Sequence, residues 1–306
     1  MRIALIGYGE VGRILAEDLR ARGQAVTAFD LQLHRETGAP MRQHAADHGV
    51  VLADGHARAV QGAELVISAV TASQTVAVAK ACAPAVGGAF FLDFNSASPG
   101  ARSEAASHVD GAGGRYVEGA VMTLISGYRI QVPLLLGGPH ADALLALLAP
   151  LGFAARVASD RLGVASATKL CRSVMIKGLE AMLIESLTTA RHYGVEDAVI
   201  ASLCETYPGV DWQQQASYAF QRVIEHGRRR GEEMLEAART VRDAGLQPLS
   251  AASTALRDSS MAELGDAGVF GLRGTPGFAR SADWRTEADR ILAFGASTNQ
   301  AAKDGA

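Results

Sequence analysis

Two groups of residues have the types and spacing to do chemistry. Gly7-Tyr8-Gly9-Glu10-Val11-Gly12 follows the apolar run Ile3–Ile6 directly and opens a helical pattern. In that setting the three glycines permit a tight turn at Gly7, close backbone approach to a pyrophosphate at Gly9, and helix-on-sheet packing at Gly12. The exposed amides and positive dipole end of the helix then face the phosphates. Asp30 closes the second apolar run, where a carboxylate accepts hydrogen bonds from ribose hydroxyls and repels a 2′-phosphate. NAD is therefore the expected cofactor, and nearby Arg35 keeps NADP as the alternative.

The second group lies on a predicted helix. Lys169, Ser173 and Lys177 stand four residues apart and Glu180 follows three later, a polar stripe on an otherwise apolar helix. A desolvated lysine titrates low enough to move protons near neutral pH, which makes Lys169 a candidate general base for an alcohol. The bland alternative is a lysine whose stem covers apolar surface while its amine reaches water. Farther on, His226, Arg229, Arg230 and Glu233 occupy offsets of one helical face, provided the helix continues through Gly227 and Gly231. That face would bind a carboxylate or phosphate; otherwise it is a solvated basic face or a salt-bridge network between subunits. Tyr128 and Arg129, before the apolar run Val132–Leu136, are a further candidate for substrate contact.

The elements that must position these residues are legible from patterning. Apolar runs at Ile3–Ile6, Ala25–Phe29, Val50–Leu52, Leu65–Val70, Phe90–Leu92, Tyr116–Val117, Val132–Leu136 and Phe153–Val157 alternate with amphipathic stretches such as Glu10–Arg22 and Ser73–Ala85. Such alternation predicts an α/β domain over residues 1–160, a Rossmann-type doubly wound parallel sheet covered on both faces. From residue 161 to 306 the pattern turns all-α. A long interdomain helix from Arg161 to about His192, capped by Ser159-Asp160, joins the two domains. Helices follow at Glu196–Thr206, Asp211–His226, Gly231–Ala244 and Leu249–Leu264, then one short helical stretch after Arg280 and a polar tail from Ser297 that frays.

Composition bounds the partners. With 306 residues, 48% hydrophobic and 20% charged, the chain is an ordinary globular protein of about two domains. Its net charge of −3 gives no reason to expect nucleic acid or an anionic membrane as partner. The apolar region Val132–Phe153 is broken by Gly137-Gly138-Pro139-His140, so no membrane span is expected. Cys82, Cys171 and Cys204 are widely spaced with no CxxC pair, so neither a disulfide framework nor a metal site is expected. The N-terminus lacks the features of a signal peptide, and a cytoplasmic protein is expected. The remaining partner is a small-molecule substrate.

Three motifs in order, the glycine fingerprint, Asp93-Phe94-Asn95-Ser96-Ala97-Ser98-Pro99 and the Gly163-x-x-x-x-x-Lys169 helix, resemble the β-hydroxyacid dehydrogenase family over nearly the whole chain. Its members include 6-phosphogluconate dehydrogenase, 3-hydroxyisobutyrate dehydrogenase and tartronate semialdehyde reductase. Glu118-Gly119-Ala120-Val121-Met122 and His226-Gly227-Arg228-Arg229-Arg230 resemble a branch of NAD-binding phosphogluconate dehydrogenases. The resemblance implies that Lys169 takes the hydroxyl proton while hydride leaves for the nicotinamide. It implies that Val70 and Thr71 lie along the cofactor, that Asn95 and Ser96 sit beside the nicotinamide ribose and substrate, and that Ser173 stands where the family has asparagine. It also implies a homodimer paired through the helical domain. The related imine reductases replace this lysine, so its presence favours alcohol or carbonyl chemistry. One departure matters: the family's small Ser-Gly-Gly anion cradle is replaced by Met122-Thr123-Leu124, a larger apolar wall with one hydroxyl.

These readings lead to an NAD-dependent dehydrogenase acting on the CH–OH of a 3-hydroxy acid or related secondary alcohol, with or without decarboxylation. The alternatives are an NAD(P)H-dependent carbonyl or imine reductase of an aromatic or apolar substrate and, from another class, a non-catalytic NAD-binding scaffold or sensor.

Overall fold

The computed structural model describes residues 1–279, 281 and 283–304, and the side chains of these up to 298. The chain forms two compact units, Met1–Cys171 and Arg172–Ala306. In chain order the first contains β1 (Arg2–Ile6), α1 (Glu10–Ala21), β2 (Ala25–Phe29), α2 (Ala39–Asp47), β3 (Val51–Leu52), α3 (His56–Val60), β4 (Leu65–Ser68), α4 (Thr75–Cys82), β5 (Phe90–Asp93), α5 (Pro99–Gly111), β6 (Arg115–Val121), α6 (Ile125–Tyr128), β7 (Leu134–Gly137), α7 (Ala141–Leu148) and β8 (Ala155–Ser159). Helix α8 (Val164–Tyr193) starts in this unit and continues into the second, which adds α9 (Glu196–Thr206), α10 (Trp212–Asp243), α11 (Leu249–Asp266) and α12 (Trp284–Asp304).

The eight strands form one sheet in the order β3-β2-β1-β4-β5-β6-β7-β8. Apart from its first residue β1 is buried throughout, and β4 and β5 are buried along their whole length, as expected of parallel strands covered on both faces. The order reverses between β1 and β4, and in such sheets ligands bind beyond the carboxyl ends of the strands at that reversal. The expected doubly wound sheet differs in one place: β6 and β7 pair antiparallel, Glu118 opposite Gly137 and Val121 opposite Leu134. The one α-helix between them, α6, is a single turn, Ile125–Tyr128, too short to cover a sheet face. The connection therefore returns on itself rather than crossing over.

The second unit is helical around Trp284, Phe220, Phe270, Met261 and Leu187, all buried. The two helices expected at Asp211–His226 and Gly231–Ala244 are one, α10. A Cβ at Gly227 would lie 2.4 Å from the Asp258 carbonyl oxygen, and one at Gly231 would lie 2.7 Å from Ser259 Oγ. These glycines let α10 and α11 touch backbone to backbone, so they end nothing. The tail expected to hold one short helical stretch is helical from Trp284 to Asp304, pinned by buried Trp284, Glu287 and Ala288. The fraying expected at the very end of the tail falls on Gly305 and Ala306, outside the described residues. No helix among the described residues is long and apolar enough to cross a membrane.

Helices α8, α10 and α11 share a buried ionic cluster. Lys177 pairs with Glu233 and Arg230 with Glu180, while Asp258 is fully buried with Arg230 Nε at 3.7 Å. Neither Asp258 carboxylate oxygen has a hydrogen-bond partner. Burial pushes its carboxyl up to about 6, against the opposing pull of Arg230 and Lys177 and with Glu180 and Glu233 adding to the rise. A folded-state pKa above the roughly 3.9 of a free aspartic acid means that the folded chain holds this proton more tightly than the unfolded one. The contribution is full below the unfolded value and is lost as pH rises through about 6. Asp258→Asn is accordingly expected to stabilise the protein by about 1–3 kcal/mol at pH 8 and by nearly nothing at pH 4. Urea denaturation of both proteins at each pH measures this, and an equal difference at the two pH values would contradict it.

Candidate active site

The glycine loop has the backbone that its sequence demands. Gly7 has φ of +93°, and a Cβ there would lie 2.3 Å from the Ala69 carbonyl oxygen; one at Gly12 would lie 2.1 Å from the Gly7 carbonyl oxygen. A Cβ at Gly9, by contrast, would meet nothing within 4 Å. The backbone at the start of α1 thus borders open space, and the residues present fit a dinucleotide pyrophosphate. Glu10 is exposed and Val11 half-buried. The Tyr8 ring is fully buried, so only its backbone is available to a nucleotide. Tyr8 N donates to Asp30 Oδ2 at 2.8 Å and Gln32 N to Asp30 Oδ1 at 2.8 Å. Asp30 thereby fixes the loop and still has a free lone pair on each oxygen for ribose hydroxyls.

Beyond the carboxyl ends of β4 and β5, Asn95 ties the two strands together. Its Oδ1 accepts from Val70 N at 2.7 Å and its Nδ2 donates to Ser68 Oγ at 3.1 Å. Asn95 is buried and Thr71 exposed. The next residue, Ser96, accepts a hydrogen bond from Lys169 Nζ at 2.7 Å. The structure therefore brings the third motif to the second within the first unit, with the lysine half-buried. Ser173, one turn farther along α8, falls in the second unit.

Two buried side chains that sequence reasoning did not assign a role hold this arrangement. Glu118, fully buried on β6, accepts from Ala165 N at 3.0 Å, Ser166 N at 3.3 Å and Ser166 Oγ at 2.7 Å. A carboxylate at the unpaired amides of a helix N-terminus satisfies them and complements the dipole, so Glu118 fixes the start of the helix that carries Lys169. Arg102 of α5, also fully buried, donates to the carbonyls of Asp93 at 3.0 Å, Gly119 at 3.1 Å and Asn95, and approaches Ala97 O at 3.4 Å. Its charge lies 4.0 Å from Asp93 and 3.9 Å from Glu118. Tyr116 Oη donates to Asp93 Oδ2 at 2.5 Å. The signal that would have found them is a carboxylate directly after each of two apolar runs, Asp93 after Phe90–Leu92 and Glu118 after Tyr116–Val117, since buried charges are found paired.

The substrate candidates separate. Met122 packs against the cluster of Ala120, Leu135 and Ala165 at the start of α8, and Thr123 beside it is exposed. Tyr128 is exposed, but Arg129 turns back onto α1, pairing with Glu17 at 2.7 Å and Asp18 at 2.9 Å. In the second unit, Arg228 pairs with Asp266 and Arg230 with Glu180, and Arg229 between them is exposed. Half-buried His226 is held below the usual histidine range by burial and by Arg222 and Arg229. It is therefore predominantly neutral at pH 7.

Residues 2–129 match the NAD binding domain of 6-phosphogluconate dehydrogenase, and residues 190–258 match a domain of unknown function (DUF1932). A conserved hypothetical protein from Sinorhizobium meliloti 1021 is 35% identical, with 95% of this chain and 96% of that one covered and a TM-score of 0.74. A 3-hydroxyisobutyrate dehydrogenase of Pseudomonas aeruginosa is 25% identical over 69% of this chain and 71% of its own. The structure of a Mycobacterium tuberculosis 3-hydroxyisobutyrate dehydrogenase with L-serine shares the fold, with a TM-score of 0.70 at 16% identity over 95% of this chain and 98% of that one.

Proposed function

The chain belongs to the 6-phosphogluconate dehydrogenase-like family of β-hydroxyacid dehydrogenases, and from that premise we propose that it oxidises the hydroxyl of a 3-hydroxy acid with NAD. The observation that carries the reading is the hydrogen bond from Lys169 Nζ to Ser96 Oγ at 2.7 Å, which sets an amine beyond the carboxyl ends of the strands, where the glycine loop also rises. Gly7, Gly9, Gly12 and Asp30 would hold the dinucleotide, and NAD when bound supplies a hydride acceptor. The protein's own part is proton transfer and orientation. Lys169 Nζ, as the neutral amine, takes the proton of the substrate hydroxyl and returns it in the reverse direction. Ser96 Oγ fixes the direction of the amine, and Glu118 fixes the helix behind it. The L-serine in the mycobacterial structure has its hydroxyl on the carbon β to the carboxylate, which is consistent with this substrate class.

Asp30 supports NAD over NADP, because a 2′-phosphate there meets a carboxylate. NADH formation measured with a panel of 3-hydroxy acids and each cofactor in turn is expected to show turnover with a preference for NAD. A preference for NADP would overturn the role of Asp30, and failure of the whole panel would overturn the substrate class. A second reading rests on Met122, whose apolar packing beside Ala165 stands where the family has an anion cradle. It is reduction of a carbonyl or imine on an apolar compound, and faster NADH consumption with such compounds than with keto acids would favour it.

A further inference from the structure

We propose that Glu17, His44 and His48 form a binding site for a divalent transition metal of the zinc class. His44 lies on α2 and His48 closes it one turn later, so both imidazoles project from one side of the helix, with ring centroids 4.4 Å apart. Glu17 reaches the same point from α1, its Oε1 2.9 Å from His44 Nε2. One donor atom from each of the three residues lies within 4.8 Å of the other two. Metal–ligand bonds of roughly 2.0–2.1 Å in tetrahedral geometry need donors about 3.3 Å apart, a spacing that small side-chain rotations give here.

Two of the three donors already have the outer partners that a metal ligand needs. The far nitrogen of His44, Nδ1, lies 2.9 Å from Tyr8 Oη, and the far oxygen of Glu17, Oε2, accepts from Arg129 Nη2 at 2.7 Å. Such contacts fix a ligating imidazole's tautomer and a carboxylate's orientation, and their loss typically costs about tenfold to a hundredfold in metal affinity. Two imidazoles and one carboxylate suit zinc, cobalt, nickel or copper and not magnesium or calcium, which take oxygen donors. His48 is exposed and Glu17 and His44 half-buried, so an ion can enter from solvent and keeps at least one position for water. Metal on Nε2 displaces the hydrogen bond to Glu17 and requires the ring proton on Nδ1, where it is donated to Tyr8 Oη. An occupied site would thus lie one hydrogen bond from a residue of the glycine loop. His44 and His48 stand four residues apart at the end of α2, but Glu17 comes from a helix distant in sequence, so the complete donor set forms only in the fold.

The test is titration of the untagged chain with Co²⁺, read by its visible absorption, and with Zn²⁺, read by calorimetry. Cys171 and Cys204, the exposed thiols, are changed to serine throughout so that they do not compete. One ion per chain is expected. His48→Ala, at an exposed position, should weaken binding by at least about tenfold, and Tyr8→Phe by about tenfold to a hundredfold. Zinc should also raise the melting temperature of the wild type more than that of His48→Ala. Absence of saturable binding, or equal affinity in wild type, His48→Ala and Tyr8→Phe, would overturn the site and leave Glu17–His44 as a structural contact only.

Discussion

Lys169→Ala is expected to lower kcat for 3-hydroxy acid oxidation by about a hundred- to ten-thousandfold, the usual weight of general acid–base catalysis. The dissociation constant for NAD should hardly move. The reason is the division of labour in the first unit: Gly7, Gly9, Gly12 and Asp30 are set by β1, α1 and β2, whereas Lys169 meets the loop after β5 through Ser96. Lys169→Arg separates proton transfer from charge alone, because a guanidinium fills the position and keeps the cation but does not give up its proton at working pH. Both variants should be slow. Steady-state kinetics with fluorescence titration of NADH measures the two quantities, and an Arg variant as fast as the wild type would show that Lys169 serves only as a positive charge.

The second large effect is on stability. Arg102→Met is expected to destabilise the first unit by about 3–5 kcal/mol, the cost of removing one partner from a buried charge cluster. Asp93 and Glu118, both fully buried, would lose their shared cation. Four carbonyls, of Asp93, Asn95, Ala97 and Gly119, would lose a donor. For a unit of this size the loss corresponds to a fall in melting temperature of about 6–20 °C. Arg102→Lys keeps the charge but not the forked geometry and should fall between. The carbonyls concerned shape the segment that presents Asn95 and Ser96, so residual folded protein should also turn over more slowly. Differential scanning calorimetry decides it; a shift under about 2 °C for the methionine variant would mean that the cluster contributes little.

Much of this was legible in sequence because single residues were constrained by backbone geometry. Gly7 needs a positive φ and Gly12 has no room for a side chain, so the fingerprint could be read without tertiary information. The 30-residue α8 follows from sustained helical patterning that ends at Gly194. The rest depended on distant partners. An apolar run reads the same in either direction, so the antiparallel pairing of β6 with β7 left no mark. Gly227 and Gly231 read as a helix end because glycine is a poor helix former, and only α11 explains why they are tolerated. Asp93, Arg102 and Glu118 are separated in the chain and meet only in the fold. The basic triplet Arg228–Arg230 read as a single patch, but α10 directs its members to different neighbours, with Arg230 turned into the interior.

The central question is whether a carboxylate-bearing alcohol is the hydride donor. The direct measurement is transfer of deuterium from the carbinol carbon of 3-hydroxy acids to NAD, followed by mass spectrometry of the reduced cofactor. Label should appear in the wild type, be far slower in Lys169→Ala, and be absent with alcohols that lack the carboxylate. Reduced cofactor without label, or transfer that is unaffected by the loss of Lys169, would contradict the account.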